Sequence, residues 1–337
     1  MKYLKFFGKF LISGVIAFLC LCLISSVYCL SPLRVENKFG NTDYAWETDG
    51  RWMKMTEGIS YGVMDQNGFN NLKVYDNPDI LVLGSSHIEG MNVNQKYSAP
   101  VLLDEMFGEK YSVYNMGISG HTLFKVVQYL PKSLEVFDET PKYIVIESAT
   151  TTITQQDVDS ALSGNVAVTT VNNKGIVAKL QKFPFLRQVY HQLDSGMMDM
   201  LLPTSKAFAA GQKDSQIDLA ESIDEKPYVE LFEYLQGIEE QSGAQIIIVY
   251  HPFEKFDNNG DIYFENKDYT DCFAEYSEKY DIGFIDLEEP IEKEYSENYT
   301  VPHGFSTGAL GEGHINKYGH KLFADEVYKY IIEKEGE

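Results

Sequence analysis

The chain has 337 residues, room for one large domain or two small ones, and 44% of them are hydrophobic, an ordinary share for a protein with a packed core. Fifty acidic residues against 28 basic ones give a net charge of −22, which argues against nucleic acid or an anionic membrane surface as the partner of most of the chain. Cys20, Cys22 and Cys29 share one apolar run and Cys272 stands alone, so no disulfide framework is expected; no Cys/His cluster has zinc spacing, and neither a metal nor another cofactor is expected.

Residues 1–30 carry Lys2, Lys5 and Lys9, followed by an uncharged run from Phe10 to Leu30. A run of that length matches the roughly 20 residues that cross a bilayer core. Lysines on its N-terminal side put that end in the cytoplasm and the remainder outside. Ser26-Val27-Tyr28 lacks the small residue that signal cleavage needs at the last position, so an uncleaved single-pass anchor is expected. Residues 31–78 are polar and aromatic, with a turn at Asp65–Phe69, and read as a juxtamembrane segment packed loosely on the main domain.

From Asp79 strands and helices alternate. Ile80–Leu83, Tyr111–Asn115, Tyr143–Glu147, Ala244–Tyr250 and Ile282–Ile285 read as strands. Helices are expected from Ser98-Ala99-Pro100 to Gly108, from Thr122, over Pro227–Gln241, over Tyr269–Tyr280 and over Asn316–Glu333. Residues 152–225 break the rhythm as an insertion, with a helical patch at Ile176–Leu193 and an apolar patch at Met197–Leu202. The alternation predicts a three-layer α/β/α domain over residues 79–337, with a five-stranded parallel sheet and right-handed crossovers.

In such a sheet the strand ends share one edge, where sites are built. Three of them carry small or polar residues: Gly84-Ser85-Ser86, Asn115–Gly120 and Glu147–Thr151. His314, just before the closing helix, can reach the same edge. A serine, a base and oxyanion donors are the parts of nucleophilic acyl chemistry. Each has a plainer reading: Ser85 and Ser86 as turn residues, His314 as a surface histidine, Glu147 as a structural carboxylate held by amides. His251 reads as bordering the cleft, and His87 and His121 as lining it or as solvated neighbours.

On these blocks, in this order, the chain from about Pro78 onward resembles the SGNH (GDSL-type) hydrolases, whose fold is flavodoxin-like. The resemblance implies Ser86 as nucleophile, in Gly84-Ser85-Ser86 with Ser85 at the family's Asp position. It implies Gly120, in Asn115-Met116-Gly117-Ile118-Ser119-Gly120, and the Ser86 amide as oxyanion donors. Thr151 stands about where the family has an asparagine donor. His314 matches the base of the Asp-x-x-His block, whose Asp position holds Gly311 with Glu312 beside it. The third member is therefore Glu312, a backbone carbonyl that orients His314 in a dyad, or Asp286 at the end of the last strand. The departures resemble the membrane-anchored branch that acylates cell-surface polymers, some of it beside a membrane-bound O-acyltransferase. That implies an extracytoplasmic acyltransferase or esterase for O-acyl, chiefly acetyl, groups of glycans. The rivals are an esterase or lipase of small esters and a catalytically inactive scaffold that binds a glycan or a membrane partner.

Overall fold

The computed structural model describes residues 2–28, 32–54, 57–163, 179–192, 223–305 and 310–336. The apolar patch at 197–202 lies outside them. Helix α1 (Lys2–Tyr28) contains a 23-residue stretch, Lys5–Val27, that is long and apolar enough to cross a membrane, and its side chains are largely exposed. At 1.5 Å per residue it spans about 35 Å.

The central sheet consists of β5 (Ile80–Leu83), β6 (Val113–Asn115), β7 (Tyr143–Ser148), β8 (Gln245–Tyr250) and β11 (Gly283–Asp286), while β9 (Lys255–Phe256) and β10 (Ile262–Tyr263) form a separate antiparallel pair. All neighbours are parallel, in the order β11-β8-β7-β5-β6. This is the flavodoxin-like order, five strands as the sequence predicts, and its switch point lies between β5 and β7. The strands are almost continuously apolar because both faces are covered. Leu81, Leu83, Ile144, Ile146, Ile246 and Ile248 face α4 (Leu123–Leu134), α5 (Gln155–Leu162), α7 (Lys226–Ser242) and α8 (Lys267–Lys279). The alternate residues Ile80, Val82, Val145, Ile247 and Val249 face α3 (Ala99–Phe107), α9 (Glu288–Asn298) and α10 (Lys317–Gly336). The period of two along each strand thus divides the core into two layers. Helix α6 (Pro184–Gln192) falls within the expected helical patch.

Helices α9 and α5 depart from the sequence reading. Helix α9 went unpredicted because Glu288–Asn298 is mostly charged and only Glu288 and Ile291 are buried. Helix α5 lies inside the stretch read as irregular, started by a capping box between Thr154 and Asp157.

Residues 32–78 do not pack loosely. They form two small antiparallel pairs, β1 (Arg34–Val35) with β2 (Ala45–Trp46) and β3 (Arg51–Lys54) with β4 (Ser60–Val63). Tyr44, Trp46, Trp52, Met64 and Phe69 join the same core as Leu81 and Leu83. Asn71 pairs with the Asn115 backbone in both directions, at 2.8 and 3.0 Å, and so satisfies part of the exposed edge of β6. The segment's aromatics resemble a loose linker in sequence because they follow neither a helical nor a strand period.

Candidate active site

Strand β5 ends at Leu83, and Gly84 makes the exit possible: a Cβ there would lie 2.6 Å from Glu147 Oε2. Ser85 then caps the short helix α2 (Ser86–Glu89), its hydroxyl accepting from the His87 amide at 3.2 Å. Ser85 also donates its amide to Glu147 Oε2 at 2.6 Å. The Ser85 side chain is therefore occupied by the turn itself, whereas the Ser86 hydroxyl points to the base: Oγ lies 2.9 Å from His314 Nε2. Asn115, fully buried, holds this turn from β6 by donating to the Ile88 carbonyl at 2.9 Å and accepting from Gly117 at 2.8 Å.

The other nitrogen of His314 meets Glu57, not Glu312: Nδ1 and Oε2 are 2.6 Å apart. Glu57 sits in the turn between β3 and β4. That hairpin is fixed by the fully buried Trp52, by Ser60 donating to the Met91 carbonyl, and by Gln95, whose side-chain amide pairs with the Val63 backbone. Gly313 leaves room for the carboxylate, since a Cβ there would lie 2.8 Å from Glu57 Oε1. The hydrogen bond from His314 holds the Glu57 carboxyl below the ordinary carboxylate value, against the opposing effect of partial burial. Glu312 is exposed. Asp286, the other acid considered, accepts from the Glu288 amide at the start of α9. Sequence reasoning missed Glu57 because 257 positions separate it from His314 and no motif surrounds it.

Among the oxyanion donors expected, the Ser86 and Gly120 amides enter no hydrogen bond within the described residues, and Gly120 is exposed with φ +88°. Thr151 departs from the expectation: it is buried, its hydroxyl shares a hydrogen bond with Thr270 at 3.0 Å, and its carbonyl accepts from Tyr228. Its short side chain is engaged in packing the sheet end against α7 and α8.

The three histidines expected to line the cleft behave differently from one another and from that expectation. His121 is buried, stacked on Tyr129 with ring centroids 5.4 Å apart, and faces Asp43 at 3.9 Å; burial lowers its pKa to about 4. His87 is buried between His251 and His314, at ring-centroid distances of 4.5 and 5.1 Å, and accepts from the Ile315 amide at 3.2 Å. Burial and the neighbouring imidazoles lower its pKa well below the usual value. His251 does not border the cleft. It is 1% exposed and joins Glu147 at 2.7 Å and His303 at 3.0 Å. Burial would raise the Glu147 carboxyl, but the His251 imidazole and the Ser85 amide hold it below the ordinary value. The fold thus gathers His87, His251 and His303, which no spacing in the sequence connects.

A groove of about 620 Å³ adjoins the triad. Gly58, the neighbour of Glu57, lies on its wall, as does Gly304, which donates to the His314 carbonyl at 3.0 Å. Tyr97, Tyr299 and Tyr318 present exposed rings along it, between Asn92, Asn94 and Asn298.

No protein-family model and no curated protein sequence matches the chain. Solved structures do. A psychrotrophic esterase from Pseudoalteromonas sp., in a structure inhibited by monoethylphosphonate, is 15% identical with a TM-score of 0.39, over 77% of this chain and 98% of the esterase. An acetyl xylan esterase is 14% identical with a TM-score of 0.39, over 75% and 99% of the two chains. A member of the lipolytic G-D-S-L family from Veillonella parvula is 14% identical with a TM-score of 0.38, over 74% and 96%. Over about three quarters of its length the chain is similar to these G-D-S-L-type lipolytic proteins and esterases.

Proposed function

We propose that the chain is a serine esterase or O-acyltransferase of the SGNH type, anchored by α1 with its domain outside the cytoplasm, acting on O-acyl groups of a cell-surface glycan. The observation that carries the reading is the aligned Ser86–His314–Glu57 set at the switch point of the sheet. In this reading His314 Nε2 takes the Ser86 proton as Oγ attacks an ester carbonyl. Glu57, kept ionised, fixes the imidazole with its proton on Nδ1 and balances the imidazolium that forms. The Ser86 and Gly120 amides receive the oxyanion. His314 then returns the proton to the leaving sugar oxygen, which leaves an acyl-Ser86. Water or a second hydroxyl, deprotonated by the same histidine, takes the acyl group and regenerates the serine.

The glycan rests on the groove. Flat exposed tyrosines interleaved with asparagine amides suit sugar rings, which offer C–H faces to stack and hydroxyls to bond, better than they suit a long acyl chain. Glu57 at the base also weakens the case for an inactive scaffold, which rested on the vacant Asp and Asn positions, of which Glu57 answers the first.

Incubating the purified chain with an acetylated oligosaccharide or p-nitrophenyl acetate, then identifying the modified peptide by mass spectrometry, tests the reading. Acetyl on Ser86 and none on Ser85 is expected, with fluorophosphonate labelling to match. Folded protein that labels at neither serine would overturn it. Release of acetate without an acceptor indicates the esterase; transfer only when an oligosaccharide is added indicates the transferase.

A further inference from the structure

Beside the serine, and outside the mechanism above, four side chains of at most 2% exposure form one line. Glu147 Oε1 is 2.7 Å from His251 Nε2, His251 Nδ1 is 3.0 Å from His303 Nε2, and His303 Nδ1 is 2.7 Å from Glu254 Oε2. These three contacts require three protons, and two neutral imidazoles bring two. Each carboxylate also receives a backbone amide on its other oxygen, from Ser85 at 2.6 Å and from His303 at 3.2 Å. With each carboxylate holding the far N–H of one imidazole, two lone pairs face each other across the central 3.0 Å.

We propose that this point is a binding site for one divalent transition-metal ion of the zinc class, held by His251 Nδ1, His303 Nε2 and His87. Imidazole is the favoured ligand of such ions. A carboxylate on the far nitrogen is the arrangement that orients a metal-bound histidine. The distances fit: nitrogens bound to tetrahedral zinc stand about 3.3 Å apart, and the ligand atoms of all three rings lie within 4.8 Å of one another. Ligation by His87 replaces its 3.2 Å contact with the Ile315 amide. The ion would act by position. His87 follows Ser86, and His303 pairs with Ile315, next to His314, in an isolated β-bridge. It would therefore clamp together the serine turn, the loop after β8 and the loop that carries the base.

The full chain, purified in detergent and stripped with chelator, is titrated with Zn²⁺ against a competing chromophoric chelator, and with Co²⁺ for its visible ligand-field bands. About one ion per chain is expected, with tetrahedral cobalt bands and a higher melting temperature on binding. His303→Gln should abolish uptake, and Glu254→Gln should weaken affinity by about 10–100-fold. Wild-type protein that melts cooperatively yet takes up neither ion overturns the proposal whether or not the variants fold. So does a folded His303→Gln that still binds one equivalent. Fluorophosphonate labelling of Ser86 in the same samples is read separately: uptake without labelling keeps the metal site and removes the proposed enzyme function.

Discussion

Ser85 and Ser86 are chemically identical neighbours that the backbone separates. At the N-cap position the Ser85 hydroxyl is consumed by the His87 amide, and one residue later the Ser86 hydroxyl meets an imidazole. The same logic separates the two glutamates. Glu57→Gln keeps the shape but removes the charge that fixes the imidazole and balances its protonated form, so kcat should fall by roughly 10²–10⁴-fold. Glu312→Gln, at an exposed position, should leave it within about twofold of the parent. Esterase assays of both variants, with circular dichroism to establish folding, check this. Equal losses, or a loss confined to Glu312→Gln, would contradict the assignment of Glu57.

Among the elements, the short helix α2 sits where the strand-end loops of β5 and β6 touch. Gly117 permits that contact: a Cβ there would stand 2.6 Å from the Glu89 amide nitrogen and 2.7 Å from the Ile88 carbonyl carbon. Both are backbone atoms and cannot swing aside. Gly117→Ala should therefore cost about 1–3 kcal/mol and displace α2, slowing fluorophosphonate labelling of Ser86. Urea denaturation and labelling rates test the two effects together; unchanged values for both would show that the loops can yield. The β3–β4 hairpin makes a parallel case. It contributes Trp52 to the core and Glu57 to the base, so removing residues 31–78 should leave protein that neither melts cooperatively nor labels at Ser86.

Over the whole molecule, buried neutral histidines make stability depend on pH. Burial holds His320 at about 3 and His121 at about 4. Both are neutral when folded, whereas in the unfolded chain they take up protons below about 6.5. Between those values the unfolded state binds more protons, so stability falls as pH falls. From pH 7 to pH 5 each histidine removes about 2 kcal/mol. Glu239, raised by burial to about 6, opposes this, since the folded state takes up its proton first. Its half-exposed position limits that gain to about 1 kcal/mol. Asp286 and Glu288, also raised by burial, act in the same direction as Glu239. Urea midpoints should therefore drop between pH 7 and pH 5, and His320→Gln should flatten the slope. A midpoint constant over that range would show that these side chains reach solvent.

By itself, the sequence determined what depends on local pattern. Five apolar runs between amphipathic segments admit only a parallel sheet covered on both faces, and an abrupt strand end at Gly84-Ser85-Ser86 locates the turn that presents Ser86. His314 was legible because it stands at the mouth of the closing helix, and the apolar run at the N-terminus because its length is its signal. What only the tertiary structure decided are contacts between residues with no shared period. Glu57 reaches His314 because Trp52 and Gln95 anchor its hairpin, and His251 meets His303 because two loops fold over one sheet edge. Thr151 was misplaced because spacing fixes its position along the chain but not the Thr270 hydroxyl that engages it. Hydrophobic period encodes which face of an element is buried. It carries no record of which polar groups, brought in from distant segments, meet at the ends of the strands.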